Sequence, residues 1–158
     1  MKQQRGYPIV TISPKAERAA KNGHPWVYGE EIRSCTGQPV NGGLVDVCTQ
    51  SGSYLGTGFY NDHSKITVRI LSRSANDKFD AAFWRRRLEY AVAYRRTVMP
   101  GEDFLCCRLI HGEADQFPGL TVDRYNDILV TETLSLGIEE RKEEIFQLLY
   151  DVLTNQGE

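Results

Sequence analysis

His111, Glu113 and Asp115 stand at alternate positions of the 158-residue chain. On a continuous strand, side chains two apart project to the same side, so these three would share a face. A histidine and two carboxylates placed that way could bind a divalent metal or supply an acid and a base. Gly112 and the Pro118-Gly119 turn oppose such a strand. Arg95, Arg108 and Arg124 offer the acids structural partners instead. Paired carboxylates of the glycosidase kind occur in any acidic stretch and decide little. Residues 108–125 therefore read first as an active-site candidate, and on balance as a structural joint.

Other catalytic patterns are missing. Cys35, Cys48, Cys106 and Cys107 form no Cys-x-x-Cys pair, and their spacing from the histidines does not suit zinc. Cys106 and Cys107 are adjacent, so on a strand they point to opposite faces. There is no Gly-x-Ser-x-Gly elbow and no phosphate loop. After Leu134 only Gly137 and Gly157 remain, too few for the glycine-rich turn of a Rossmann-like cofactor site. No catalytic, cofactor-binding or metal-ligating residue is assigned.

Composition bounds the rest. With 41% hydrophobic and 25% charged residues, the chain suffices for one ordinary domain or two small ones. The formal net charge of −2 is unevenly spread. Residues 1–73 hold nine Lys or Arg against five Asp or Glu, and residues 74–158 hold ten against sixteen. A basic binding module joined to an acidic domain fits that asymmetry. No apolar run approaches the ~20 residues of a membrane span. The N-terminus has no apolar signal segment, so reduced thiols and a cytoplasmic location are expected.

The elements that would carry the acidic cluster begin after a polar junction at 72–77, with Asn76 or Asp77 as the next N-cap. A helix over 78–99 places Ala81, Trp84, Leu88, Ala91, Val92 and Val98 on one face. Arg95 falls within that apolar stripe, as a snorkelling side chain or a buried ion pair with a following acid, and the ion pair is preferred. Strands are expected at 105–111, 121–125 and 128–133. Phe117-Pro118-Gly119-Leu120 reads as a type II turn and Asn126-Asp127 as a hairpin loop. A last helix over 138–153 buries Ile138, Ile145, Leu148, Leu149 and Val152.

In the basic half, a strand over 7–12 ends at Ser13-Pro14, an N-cap followed by proline at the first helical position. Glu17 is assigned to a capping box. The short helix carries Lys15, Arg18 and Lys21 and ends at Asn22-Gly23. Strands follow at 24–28, 44–48, 54–60 and 65–71. Val45 and Val47 share one face of theirs, opposite Asp46 and Cys48, and Gly56 and Gly58 mark a bulge or tight bend. Many short strands and one helix make a small β-barrel. The expected fold class is thus mixed, a β-barrel over 1–73 followed by an α+β domain over 74–158 with an antiparallel sheet and two helices.

Gly23-His24-Pro25-Trp26-Val27-Tyr28, Leu55-Gly56-Thr57-Gly58-Phe59-Tyr60-Asn61 and the strand at 64–71 resemble the N-terminal PUA domain of an RNA cytosine-C5 methyltransferase family. Arg108-Leu109-Ile110-His111-Gly112-Glu113-Ala114-Asp115 and Pro118-Gly119-Leu120-Thr121-Val122-Asp123-Arg124-Tyr125 resemble its central domain. Gln116-Phe117 and Asn126 depart from that pattern. The resemblance implies S-adenosylmethionine-dependent modification of large-subunit (23S) ribosomal RNA, with ribosomal RNA as partner. It implies that this chain is an N-terminal RNA-binding and positioning fragment lacking the cofactor loop and catalytic cysteine. The RNA surface it implies comprises Lys15, Arg18, Lys21, Gly23, His24, Trp26 and Tyr28. Cations beside a small-residue loop suit phosphates, and rings suit unpaired bases, although a strand tryptophan such as Trp26 is more often core than a base platform and His24 could merely cap a turn, so the cations carry more of this expectation than the rings. The competing expectations are an autonomous PUA-type RNA-binding or adaptor protein and a small metal-dependent hydrolase centred on His111, Glu113 and Asp115.

Overall fold

The computed structural model describes residues 5–155, so the outermost ends of the two expected domains lie outside the described residues. The chain divides into two compact units, Met1–Asn76 and Asp77–Glu158.

The first unit opens with β1 (Ile9–Ile12) and α1 (Pro14–Lys21). Ser13 Oγ accepts from the Ala16 amide at 3.2 Å, and Pro14 stands in the first turn. Glu17 forms no capping box. It sits one residue beyond the position that could reach back to the cap, and its carboxylate takes Lys21 Nζ at 2.5 Å. β2 (Trp26–Tyr28) comes next, shorter than expected, and a 3-10 turn at Gly29–Glu31 leads to β3 (Ile32–Thr36). β4 (Leu44–Cys48), β5 (Tyr54–Tyr60) and β6 (Ile66–Ser72) complete a six-stranded sheet in the order β2-β6-β5-β4-β1-β3. The sheet is a curled half-barrel with β2 and β3 at its edges, and β1 runs parallel to β4 while the other pairs are antiparallel.

Its core cluster is built from small aliphatic side chains: Val10, Ile12, Ala16, Ala20, Val27, Val45, Val47, Val68 and Ile70. Val45 and Val47 are buried together as their period requires. Cys48 departs from its expected outward face, because the β4–β5 register shifts after Val47 and turns it inward. Gly58 answers a close approach of backbones. A Cβ there would lie 2.2 Å from the Arg69 carbonyl oxygen, at the point where the β5–β6 register also shifts.

In the second unit α2 (Ala81–Val98) begins later than expected, because Asp80 caps it by accepting from the Phe83 amide at 3.0 Å. Its buried residues are Phe83, Trp84, Leu88, Ala91 and Val92. Ala81 and Val98 are exposed, since the true apolar stripe is rotated toward Phe83. Then come β7 (Cys106–His111), β8 (Leu120–Tyr125) and β9 (Ile128–Thr133), an antiparallel sheet in the order β7-β8-β9. Leu109 and Ile110 are both buried, against strict alternation, because the β7–β8 register shifts between Arg108 and Ile110.

The expected single last helix is two: α3 (Leu136–Glu139), capped by Ser135 Oγ, and α4 (Lys142–Thr154). Leu148 is only half-buried, while Ile145, Leu149 and Val152 are buried as expected and Leu153 joins them. Trp84 stacks near Phe117 at 6.0 Å between ring centroids, and both are buried with Phe83, Leu88, Leu120 and Ile138. No described helix is long and apolar enough to cross a membrane.

Candidate nucleic-acid interface

Lys15, Arg18 and Lys21 are exposed on α1, and the end of that helix fixes the direction of the segment leading into β2. Gly23 adopts φ +94, its amide donates to the Ala20 carbonyl at 3.0 Å, and the His24 amide donates to the Ala19 carbonyl at 2.9 Å. That pair of bonds is a Schellman closure, which needs the left-handed conformation glycine allows. The chain leaves the cation-bearing helix through this closure and enters β2.

Residues 24, 26 and 28 then carry three rings in sequence alternation. His24 and Tyr28 are exposed and Trp26 is half-buried, while Val27 between them enters the core. His24 Nδ1 accepts from the Trp26 amide at 3.2 Å. Its ring stands edge-on to Trp26, at 6.1 Å and 82°, and tilted at 47° to Tyr28, 6.4 Å away. The structure thus brings Gly23, His24, Trp26 and Tyr28 together at the end of the helix that bears the three cations.

Two further residues join them. Arg69 is paired with Trp26 across the β2–β6 ladder, and its guanidinium carbon lies 5.6 Å from the Trp26 ring centroid. Arg73 donates to the Ala20 carbonyl at 3.4 Å and to the His24 carbonyl at 3.2 Å, tying down the closure. The alternation of 65–71 could have singled out Arg69, but its place opposite Trp26 depends on a register that no local pattern states. Arg73 has the sequence character of an ordinary polar linker residue.

The 111–115 cluster takes a different form. Gly112–Asp115 is a 3-10 turn rather than a continuing strand, so the three side chains do not share a strand face. Asp115 Oδ2 accepts from the His111 amide at 2.7 Å and from Arg95 Nη2 at 2.7 Å. Arg95 also donates from Nε to the Arg108 carbonyl. The ion pair expected for Arg95 is therefore present, with its side chain 13% and that of Asp115 10% exposed. Among the described residues no group of three or more His, Cys, Asp or Glu could hold a metal ion.

Nearby, Arg108 makes a two-pronged bond to Asp123, at 2.7 and 3.0 Å. The hydrogen bond from Arg108 holds the Asp123 carboxyl below its ordinary range. Burial pushes the Arg87 guanidinium down to about 10, which leaves it charged at neutral pH. Burial also raises the Cys35 and Cys107 thiols, the opposite of what an activated thiolate needs.

Residues 10–73 match the family described as a PUA-like domain. Ribosomal RNA large subunit methyltransferase I of Shewanella amazonensis is 32% identical over 140 residues, 89% of this chain and 35% of that protein. The protein of that name from Shewanella denitrificans is 35% identical over 141 residues, 89% of this chain and 36% of its own length. Among solved structures, "a putative sam-dependent methyltransferase from Streptococcus mutans" has a TM-score of 0.78 at 17% identity, covering 93% of this chain and 38% of that one. A second, complexed with SAH, has the same TM-score and coverage. The chain is thus similar over most of its length to about a third of a ribosomal RNA large subunit methyltransferase I, and its first unit carries the PUA-like match.

Proposed function

We propose that the chain binds and positions ribosomal RNA as the N-terminal part of an S-adenosylmethionine-dependent methyltransferase acting at cytosine C5 of 23S ribosomal RNA. The observation that carries this reading is a coincidence of place. The stretch matched as PUA-like includes the exposed cations of α1, the glycine closure and the rings of β2. Lys15, Arg18 and Lys21 would neutralise backbone phosphates, Gly23 lets the backbone come close, and His24, Trp26 and Tyr28 present ring surface. The relatives' names supply the RNA class. On this reading the protein works in the cytoplasm, where ribosomal RNA is, and the two units correspond to domains over 1–73 and 74–158.

On this reading S-adenosylmethionine would be bound by another part of the methyltransferase. The sheet of the second unit is antiparallel throughout, and it offers no parallel strand–helix–strand crossover at which such a nucleotide binds. The residues present do not fit S-adenosylmethionine, so no chemical step is assigned to them.

The test is filter binding of this chain to a ribosomal RNA fragment over a range of salt. Removing one cation–phosphate pair should flatten the logarithmic salt dependence by about 0.7 to 0.9. Replacing Lys15, Arg18 and Lys21 together by Ala should therefore reduce the slope by about two to three and weaken binding at least ten-fold. An unchanged slope would show that the RNA lies elsewhere.

A further inference from the structure

We infer that the ring-bearing face of β2 and β6 is a stacking platform for an unpaired base, so that the RNA partner presents a bulged, looped or single-stranded nucleotide next to the backbone held by α1. The inference rests on the RNA-binding reading and specifies what kind of RNA it requires.

Three observations carry it. First, these rings do not form the unit's core cluster, whose nine buried members are all valine, isoleucine or alanine. Tyr28 keeps 36% of its surface exposed and His24 is exposed too, which is costly placement for aromatic surface unless something covers it.

Second, the His24 ring is held in place before any ligand arrives. The His24 backbone is fixed by the hydrogen bond its amide donates to the Ala19 carbonyl and by the Arg73 guanidinium on its own carbonyl, and its ring by the Trp26 amide donating to Nδ1. A ring fixed in advance loses little side-chain entropy when a base settles on it.

Third, a cation sits within the aromatic group. Arg69 lies across from Trp26, with its guanidinium near that ring, and a guanidinium plane is itself a surface on which bases stack. An apolar peptide would gain nothing from Arg69 or from the α1 cations, whereas a nucleotide uses ring and charge together.

The RNA must supply the base already unstacked. In an A-form duplex the base faces are covered by their neighbours, so a duplex can engage the cations but not the platform. The expected preference is therefore for an interrupted helix. It should amount to about five-fold or more, the usual return from one base stacked on an aromatic side chain.

The test compares two RNA hairpins, one with a single-nucleotide bulge and one fully paired, each closed by an ethylene glycol linker so that no loop base is offered, titrated into this chain while tryptophan emission is followed. Trp84, at 1% exposure, is shielded in the second unit, so a change on stacking comes from Trp26. The bulged hairpin should bind at least about five-fold tighter and quench the emission. His24→Ala and Tyr28→Ala should each bring the bulged hairpin's affinity down to that of the paired one while the circular dichroism spectrum stays that of the wild type, a readout that a misfolded variant would fail. Equal affinities with unmoved emission overturn the platform while leaving RNA binding intact. Variants that weaken both hairpins alike overturn it as well. If neither hairpin binds, the RNA-binding reading falls and takes the platform with it.

Discussion

In the first unit, Lys15 and Arg18 carry no side-chain partner among the described residues, while in the second unit Arg95 is bound to Asp115, Arg108 to Asp123 and Arg87 to the Gln116 carbonyl at 2.6 Å. The same cationic residue types serve opposite ends. In the acidic unit each of these guanidinium groups finds an acceptor within its own fold, and for Arg95 and Arg87 the cost of burial is offset there. In the basic unit Lys15 and Arg18 stay hydrated, ready to exchange water and counterions for phosphate, while Lys21 is held by Glu17 one turn away. Arg5 shows that the division is not absolute. It donates to Asp46 and Thr57 and lies beside the Tyr7 and Tyr54 rings, so one arginine of the first unit is also committed to its fold. What separates a structural cation from an available one is the presence of a carboxylate or carbonyl at the right register.

The largest expected effect comes from breaking a committed pair. Asp115→Ala would leave Arg95, nearly nine-tenths buried in its side chain, without its carboxylate and should destabilise the second unit by about 3 kcal/mol. Urea unfolding followed at Trp84 in a Trp26→Phe background measures it. The paired hairpin should still bind the variant, and an unchanged Trp84 transition would break the contrast drawn between the units.

Next comes Gly58→Ala, whose new Cβ would press on the Arg69 carbonyl. The loss should be about 2 kcal/mol, felt in the first unit alone. Amide hydrogen exchange should accelerate in β5 and β6 and stay constant in β7 to β9. Protection unchanged in both sheets would mean that the strand crossing there is not tight.

The smallest effect is expected at the exposed Arg108–Asp123 pair. The folded-state carboxyl of Asp123 is depressed, so its contribution is present above the unfolded carboxylate value near 3.9 and is lost as pH falls through the lower folded value. Wild type and Asp123→Asn should therefore differ slightly in stability at neutral pH and converge in strong acid. A difference that grew on acidification would reverse the sign and sink the assignment.

Much of the fold is legible locally. The cap at Ser13, the closure at Gly23, the Phe117–Leu120 turn with Gly119 at φ +79 and the hairpin at Asn126 all follow from residue types that set backbone angles by themselves. The Arg95 ion pair is readable too, because a cation within an apolar stripe needs a partner and acids lie close downstream. The features that escape such reading depend on distant pairing. β3 is an edge strand, mostly exposed, with no alternation to betray it, and it exists because β1 offers it a ladder. The inward turn of Cys48 and the double burial at 109–110 arise from register shifts set by the partner strand. The start of α2 goes to Asp80 rather than Asn76 or Asp77, a choice among three similar caps that packing makes through Phe83. Arg69 and Arg73 join the candidate site only through pairing of the same distant kind.

Gly23 also decides which residues its position would accept. An added Cβ would meet no atom within 4 Å there, so a larger residue would not be refused for lack of room. It would be refused for its chirality, since φ +94 is a dihedral that L-residues rarely adopt and that costs them backbone strain. The passage from the cations to the rings thus turns on a single mirror-image step in the backbone, and position 23 selects for handedness rather than for size.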